Sequence, residues 1–438
     1  MRRIRHLKSN LTRWHLKART LVFAAACSGL SFCLGTEAAL AQSADAADPV
    51  VGDTDISVGK IGRLHDSLRR AAVRQWLYTE AADLYAQYSA FQARTAKETG
   101  LSWAMDLSYL QQWGGTNGGS PAGQVLATPS IDWTLFQSSA IGTGSVQLAY
   151  TLVRYATDQS AADVQDNLGL ITPIDDFASR QNIFAQLTYT QALPGDKVQV
   201  SVGQYPFYNF DGNQYLANQQ QNFTNYLLAQ NGSATYALAG LGAYVQVNAT
   251  SRLQFASGFQ NAANATGATL STQGFGDHGY AWFGYAQWTP AFKGLGSSQY
   301  SITYYQVPTV PAQSRSTGWS MNAVQNLSDT WAVFGRANRA YDYVTPIRSS
   351  CALGAAMNNP LGHSPTDQIG LAFGYSTAAP PPANPSGARN EKIIEAYWTW
   401  TVAKPFLLTP DAQYIRDPAL DPSRDSAWVL SLRATFIF

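Results

Sequence analysis

The segment 427–438, Ala-Trp-Val-Leu-Ser-Leu-Arg-Ala-Thr-Phe-Ile-Phe, constrains the fold more than any other. Trp428, Leu430, Leu432, Ala434, Phe436 and Phe438 share one parity, while Ser431, Arg433 and Thr435 share the other with Val429 and Ile437. Alternate side chains of a strand face opposite ways, so this segment has one apolar face and one largely polar face. A soluble edge strand so apolar and aromatic would template aggregation. The wall of a membrane β-barrel removes that hazard, with lipid against the apolar face and a terminal Phe in the closing strand. A buried C-terminal strand of a soluble sandwich is the competing fold.

The other end of the chain reads as an export signal. Arg2, Arg3, Arg5, Lys8, Arg13, Lys17 and Arg19 precede an uncharged run over 21–34, and Ala39-Leu40-Ala41 fits a small-x-small cleavage site. The run is shorter than the roughly 20 residues of a spanning helix. The expected division is therefore a signal peptide over 1–41, a leader and long helix over 42–99, and a barrel over 100–438.

The leader passes into a helical stretch over 61–98, free of Pro and Gly after Gly62. Leu77, Ala81, Leu84, Tyr88 and Phe91 recur in four- and three-residue steps, a coiled-coil-like seam. Such a helix could extend into the periplasm and help subunits associate, as a homotrimer for instance. It could equally plug the barrel in part or pack on its own domain.

From Leu101 the period changes to two. Leu101, Trp103, Met105, Leu107 and Tyr109 alternate with smaller or polar residues, and similar stretches recur at 131–135, 146–152, 183–189, 198–202, 241–247 and 253–259. They continue at 280–288, 300–304, 319–324, 331–337, 369–375, 394–402, 408–414 and the terminal strand. Single-chain bacterial barrels have even strand numbers. Fifteen segments therefore predict about sixteen strands, the missing one near 168–172. Short connections (193–197, 248–251, 327–330, 403–406) alternate with long ones (114–128, 157–180, 205–237, 261–279, 341–368, 376–390), the rhythm of periplasmic turns and extracellular loops. The fold class expected is all-β, a transmembrane antiparallel barrel with an N-terminal helical extension.

Composition agrees with that reading. Charged residues are 13% of the chain, about half the usual share for soluble domains, and aromatics are 12%. Loss of 1–41 removes seven of 29 basic and one of 28 acidic residues, leaving a formal charge of about −5 and no case for a nucleic-acid partner. Cys351 alone would remain, so no intrachain disulfide is expected. Catalysis has no support: His65, His278 and His363 are scattered, and Gly362-His-Ser-Pro-Thr366 lacks the last glycine of a nucleophile elbow. No local spacing makes a metal site, and no phosphate or dinucleotide fingerprint calls for a cofactor.

With apolar residues facing lipid, the opposite parity faces the lumen. Arg433 must point inward, because a lipid-facing Arg costs roughly 2–4 kcal/mol at the midplane. The same reasoning turns Arg336, Glu395, Asp411 and Gln413 inward, with Asp106 and Asp132 as further candidates. A selective sugar channel would offer such carboxylates, amides and guanidinium groups to hydroxyls and an aromatic plane such as Tyr397 to a ring face. Inward charges paired merely with each other are the bland alternative. In a wet lumen, Glu395 and Asp411 should be replaceable by Ala with folding nearly intact. Mixed signs favour a neutral solute.

Thr317-Gly-Trp-Ser-Met-Asn-Ala-Val-Gln-Asn326, Trp331-Ala-Val-Phe-Gly-Arg336, Glu391-Lys-Ile-Ile-Glu-Ala-Tyr397 and Leu408-Thr-Pro-Asp-Ala-Gln-Tyr-Ile415 together resemble the carbohydrate-selective porins, the glucose-porin group of Gram-negative outer membranes. Gln112-Trp-Gly-Gly-Thr-Asn117 keeps only part of that family's early Trp-Gly-Gly-Leu-Arg pattern. The resemblance implies an outer-membrane barrel of about sixteen strands passing sugars by facilitated diffusion. An unselective porin, or a structural barrel closed by its helix and loops, is the alternative.

Overall fold

The computed structural model describes residues 79–438, apart from 277–278, 312 and 342–344. The expected signal peptide, the leader, the 61–78 part of the helix, His65 and His278 lie outside the described residues. Helix α1 spans Thr79–Thr99. Within it Arg94 lies 6.0 Å from the Phe91 ring centroid, and Gln92 donates to the Tyr88 hydroxyl at 3.0 Å. Gly100 follows at φ +73°, the left-handed conformation in which helices commonly end.

Sixteen strands follow: β1 (Leu101–Trp113), β2 (Ala122–Ser138), β3 (Gly142–Tyr155), β4 (Gln181–Ala192), β5 (Val198–Tyr205), β6 (Gly240–Thr250), β7 (Leu253–Asn261) and β8 (Tyr280–Trp288). The second half comprises β9 (Ser298–Val307), β10 (Ser316–Asn326), β11 (Trp331–Tyr341), β12 (Ile347–Asn358), β13 (Gln368–Ala378), β14 (Glu391–Ala403), β15 (Phe406–Arg416) and β16 (Ser426–Ile437). Each strand pairs antiparallel with the next, and β16 returns to β1 with Arg433 opposite Leu110. Closure leaves no unpaired edge, which is what permits a sheet in lipid.

The strand missing from the periodicity is β12, not 168–172, which lies at the end of helix α2 (Ala161–Leu168) and in the turn after it. In β12 the run Ser-Ser-Cys-Ala-Leu-Gly-Ala-Ala has little contrast between faces, and a register shift between Ile347 and Ser349 breaks its parity. The expected loop 341–368 therefore contains a strand. Likewise β2 begins at Ala122, and the pairing with β3 is interrupted around Pro129, which has no N–H to give the ladder.

Facing follows the alternation. Trp428 and Leu430 on β16 are each 53% exposed, whereas Val429, Ser431, Arg433, Thr435 and Ile437 are buried. One rim carries the connections 156–180, 206–239, 262–279 and 379–390; the other carries 139–141, 193–197, 251–252 and 404–405. The inner face is covered by segments that enter from the long-loop rim. Tyr215, Leu216, Phe223, Leu227 and Leu228 pack against Phe334, Ile393, Tyr397 and Val429 of the wall. Phe207, Phe210 and Tyr236 pack against Tyr205, Phe283, Tyr285 and Tyr305. Inward rings need flat seats on the neighbouring strand. A Cβ on Gly370 would stand 2.3 Å from Tyr397 Cε1, and one on Gly354 would stand 2.5 Å from the Phe334 ring.

Leu432 lies on the outer face at 40% exposure. Leu432→Arg should lower folding stability by about 2–4 kcal/mol if the position lies at mid-bilayer. Heat-modifiable gel mobility after refolding into vesicles checks this, and normal insertion of the variant would mean that the facing is wrong.

Candidate functional site

The site is the interior of the barrel where the 206–239 segment crosses it. This segment carries one ionisable charge, Asp211, among amides, hydroxyls and aromatics. Asp211 is 1% exposed and accepts from Asn231 Nδ2 (2.7 Å), Tyr236 OH (2.9 Å), Ser320 Oγ (2.6 Å) and Asn322 Nδ2 (3.1 Å). Two donors belong to the loop and two to β10, so the carboxylate pins the loop to the wall. Charge-assisted bonds of this kind are stronger than neutral ones. The next turn, helix α3 (Tyr226–Ala229), is capped by Asn225, whose side-chain oxygen accepts from the Leu227 N–H at 3.1 Å.

Strands β14, β15 and β16 hold the middle of the loop. Glu395 accepts from the Thr224 N–H at 2.5 Å through one oxygen and from the Asn225 N–H at 3.1 Å through the other. The Thr224 hydroxyl lies 3.2 Å from Glu395 Oε1 and 3.3 Å from Asp411 Oδ1. Gln413 accepts from Asn225 Nδ2 at 2.9 Å and donates to Thr224 Oγ1 and to Ile174 O, both at 2.8 Å. Arg433 donates to the carbonyls of Gln219 and Asn222, the latter at 2.9 Å. On β11, Arg336 donates to Leu216 O and, through Nε at 2.9 Å, to Asn322 Oδ1. On β1, Asp106 accepts from Gln221 Nε2 at 3.1 Å.

Seven of the eight residues singled out in the sequence thus converge on this loop. Tyr397 does so through its hydroxyl, which accepts from Asn222 Nδ2 at 3.3 Å and donates to Gln368 Oε1. Its ring packs edge-on against Phe223 at 4.8 Å, so loop side chains cover the plane expected to stack on a sugar. Glu395 and Asp411 lie at 0% and 5% exposure rather than in open water. The eighth, Asp132, faces inward beside Ser102 nearer the short-turn rim and is half-buried. Sequence reasoning missed Asp211, although a lone charge in an otherwise neutral loop was there to be read. It also missed the loop atoms that receive the wall charges.

A second layer lies nearer the long-loop rim. Glu391, two inward positions before Glu395, accepts from the N–H groups of Ile171 (2.8 Å), Thr172 (3.0 Å) and Ala419 (3.0 Å). It joins the 156–180 and 417–425 loops to β14. In the first of these loops Asp175 is fully buried and accepts from Gln124 Nε2 at 2.9 Å. Burial, with the Asp176 carboxylate beside it, pushes its acid group up to about 7. Gly115, at φ +57° in the remnant Trp-Gly-Gly pattern, lets the chain turn at this rim after β1.

A closed barrel with a segment folded across its lumen defines a pore protein, and the comparisons agree. The profile of the carbohydrate-selective porin OprB family matches residues 116–438, so the chain belongs to that family. Among curated relatives, Porin AaxA of Chlamydia felis (strain Fe/C-56) is 36% identical over 350 residues, 78% of each chain. Porin AaxA of Chlamydia muridarum (strain MoPn / Nigg) is 37% identical over 339 residues, 76% of this chain and 73% of that protein. The high-pH structure of Pseudomonas putida OprB superposes with a TM-score of 0.65 at 16% identity, over 80% of this chain and 97% of that one. That likeness is one of fold. The chain is an outer-membrane porin, a channel rather than an enzyme.

Two outcomes follow from the geometry. Glu395→Ala strips acceptors from two buried N–H groups, each worth about 1–3 kcal/mol when left unmade. The 206–239 segment should loosen and single-channel conductance should rise, while heat-modifiable mobility shows the barrel intact. Asp175 has a folded pKa above its ordinary value, so the neutral form fits the loop. Its stabilising effect is complete below about pH 4 and lost as pH rises through about 7. Protease protection of 156–180 should fall across that window, and Asp175→Asn should flatten the dependence.

Proposed function

We propose that this porin passes small neutral polyhydroxylated solutes, mono- and oligosaccharides, by diffusion past the 206–239 segment. The observation that carries this reading is the neutrality of that segment. Its one charged side chain is enclosed by four donors, and its more accessible positions include the amides Gln214, Asn218 and Gln221. Amides both donate and accept, as hydroxyls do, and place no net field on a passing ion. The family description favours the same solute class.

In this reading Arg336, Glu395, Tyr397, Asp411, Gln413, Arg433 and Asp106 act on solute chiefly by fixing where the segment lies. Asp132 is the candidate for direct contact in the vestibule at the short-turn rim. The N-terminal signal over 1–41 would deliver the chain to the periplasm, and association into a trimer would be independent of the pore itself.

Liposome swelling with a graded series of mono- and disaccharides tests the proposal. Uptake should fall with solute size, and the reversal potential in a salt gradient should stay near zero. Strong ion preference without sugar uptake indicates an ion-directed porin, uptake of sugars and ions alike indicates an unselective one, and a silent bilayer indicates a sealed barrel.

A further inference from the structure

The charges on the outer wall are segregated by sign and by height. Among the described residues every strand carboxylate (Asp106, Asp132, Glu391, Glu395 and Asp411) faces inward. Arg154, Arg339, Lys392 and Arg416 face outward, and all four lie at the long-loop ends of their strands. Arg348 lies at the β12 register shift, where the alternation of faces is interrupted. Lys392 and Arg416 oppose each other directly across β14 and β15. Like charges directly opposite on one face destabilise a strand pair.

Their surroundings relieve this only in part. Asp417 lies 2.8 Å from Lys392 Nζ and 3.9 Å from Arg416 Nε. The Lys392 ammonium beside it holds that carboxyl below the usual range, so it stays charged. One carboxylate against two cations leaves an excess of positive charge. The Arg416 side chain is 65% exposed, and its guanidinium makes no hydrogen bond among the described residues. Tyr375 opposes Lys392 at the same level, and two residues further down β15 Tyr414 opposes Trp428 with ring centroids 4.7 Å apart. Aromatic rings in this position mark the membrane–water interface. The two cations therefore stand level with the upper ring and two residues, about 7 Å along the strand, above the Tyr414–Trp428 pair, at headgroup depth. On β11 Arg339 lies under the Tyr341 ring, 5.1 Å from its centroid, with the ring on the loop side of the cation.

We propose that Lys392 and Arg416 form a docking site for the phosphorylated headgroup of an outer-leaflet lipid. A phosphate oxygen between them would turn a repulsive pair into a bridged one, and a guanidinium suits phosphate by its planar fork. The inference rests on the barrel lying in the outer membrane with its long loops outward. It requires neither conductance nor sugar passage.

The test is native mass spectrometry of the detergent-purified protein titrated with bis-phosphorylated lipid A, dephosphorylated lipid A or phosphatidylcholine. Bis-phosphorylated lipid A should bind at least about fivefold more tightly than its dephosphorylated form, since each surface cation is worth about that factor. Lys392→Gln/Arg416→Gln should abolish the preference and leave heat-modifiable folding and conductance unchanged. Lys197→Gln/Arg252→Gln, with the same charge removed at the opposite rim, should keep it. Equal binding of the two forms of lipid A, an unaltered preference in the Lys392/Arg416 variant, or displacement by millimolar inorganic phosphate would each overturn the proposal.

Discussion

A loop that folds back into a barrel takes its backbone away from bulk water, and each N–H and C=O it carries then needs another partner. The interior of this protein is organised around that need. Unpaired, a buried peptide group costs a few kcal/mol. The 216–225 stretch follows no regular ladder that would satisfy it internally. The wall provides the missing partners: Glu395 receives two consecutive N–H groups, while Arg433 and Arg336 each reach loop carbonyls. Glu391 serves the outer loops in the same way.

This explains why both signs of charge occur in one lumen. A carboxylate accepts and a guanidinium donates, so a wall with only one sign could satisfy only half of a backbone. Charges buried for this purpose are the costly kind. Here they are surrounded by amides and hydroxyls that spread the cost over a network. Gln413 bridges the loop to Ile174, and Asn322 joins Asp211 to Arg336. Placing the anchors on strands makes the position of the loop as rigid as the sheet.

The wall was legible in the sequence because lipid on one side and a polar interior on the other write a period of two into every well-contrasted strand. It failed where contrast failed: β12, rich in Ser, Ala and Gly, looks alike on both faces, and Pro129 punctuated β2 as if it were a loop. The inward facing of Arg433 and Glu395 followed from parity and from the cost of charge in lipid. What they touch did not, because their partners are backbone atoms some 170 to 215 positions away in sequence, and a peptide N–H has no residue type to recognise. Asp211 was detectable in principle, since a charge that interrupts a long neutral segment must either be solvated or be doing structural work.

The same economy of charge bears on solute choice. Where wall charges are committed to holding a loop, what lies beside the remaining path is largely the amide and hydroxyl chemistry of the loop itself. Under the proposed function, discrimination would then depend on how many hydrogen bonds a solute can exchange for water, and on its girth. It would depend little on the sign of an ion. A pore of that kind is set by the position of a segment rather than by any single contact. On the proposed function, anchoring carboxylates such as Glu395 would control passage from behind the surface that solutes meet. Placing the outward strand cations Arg154, Arg339, Lys392 and Arg416 at the long-loop ends of their strands keeps their field away from the lumen.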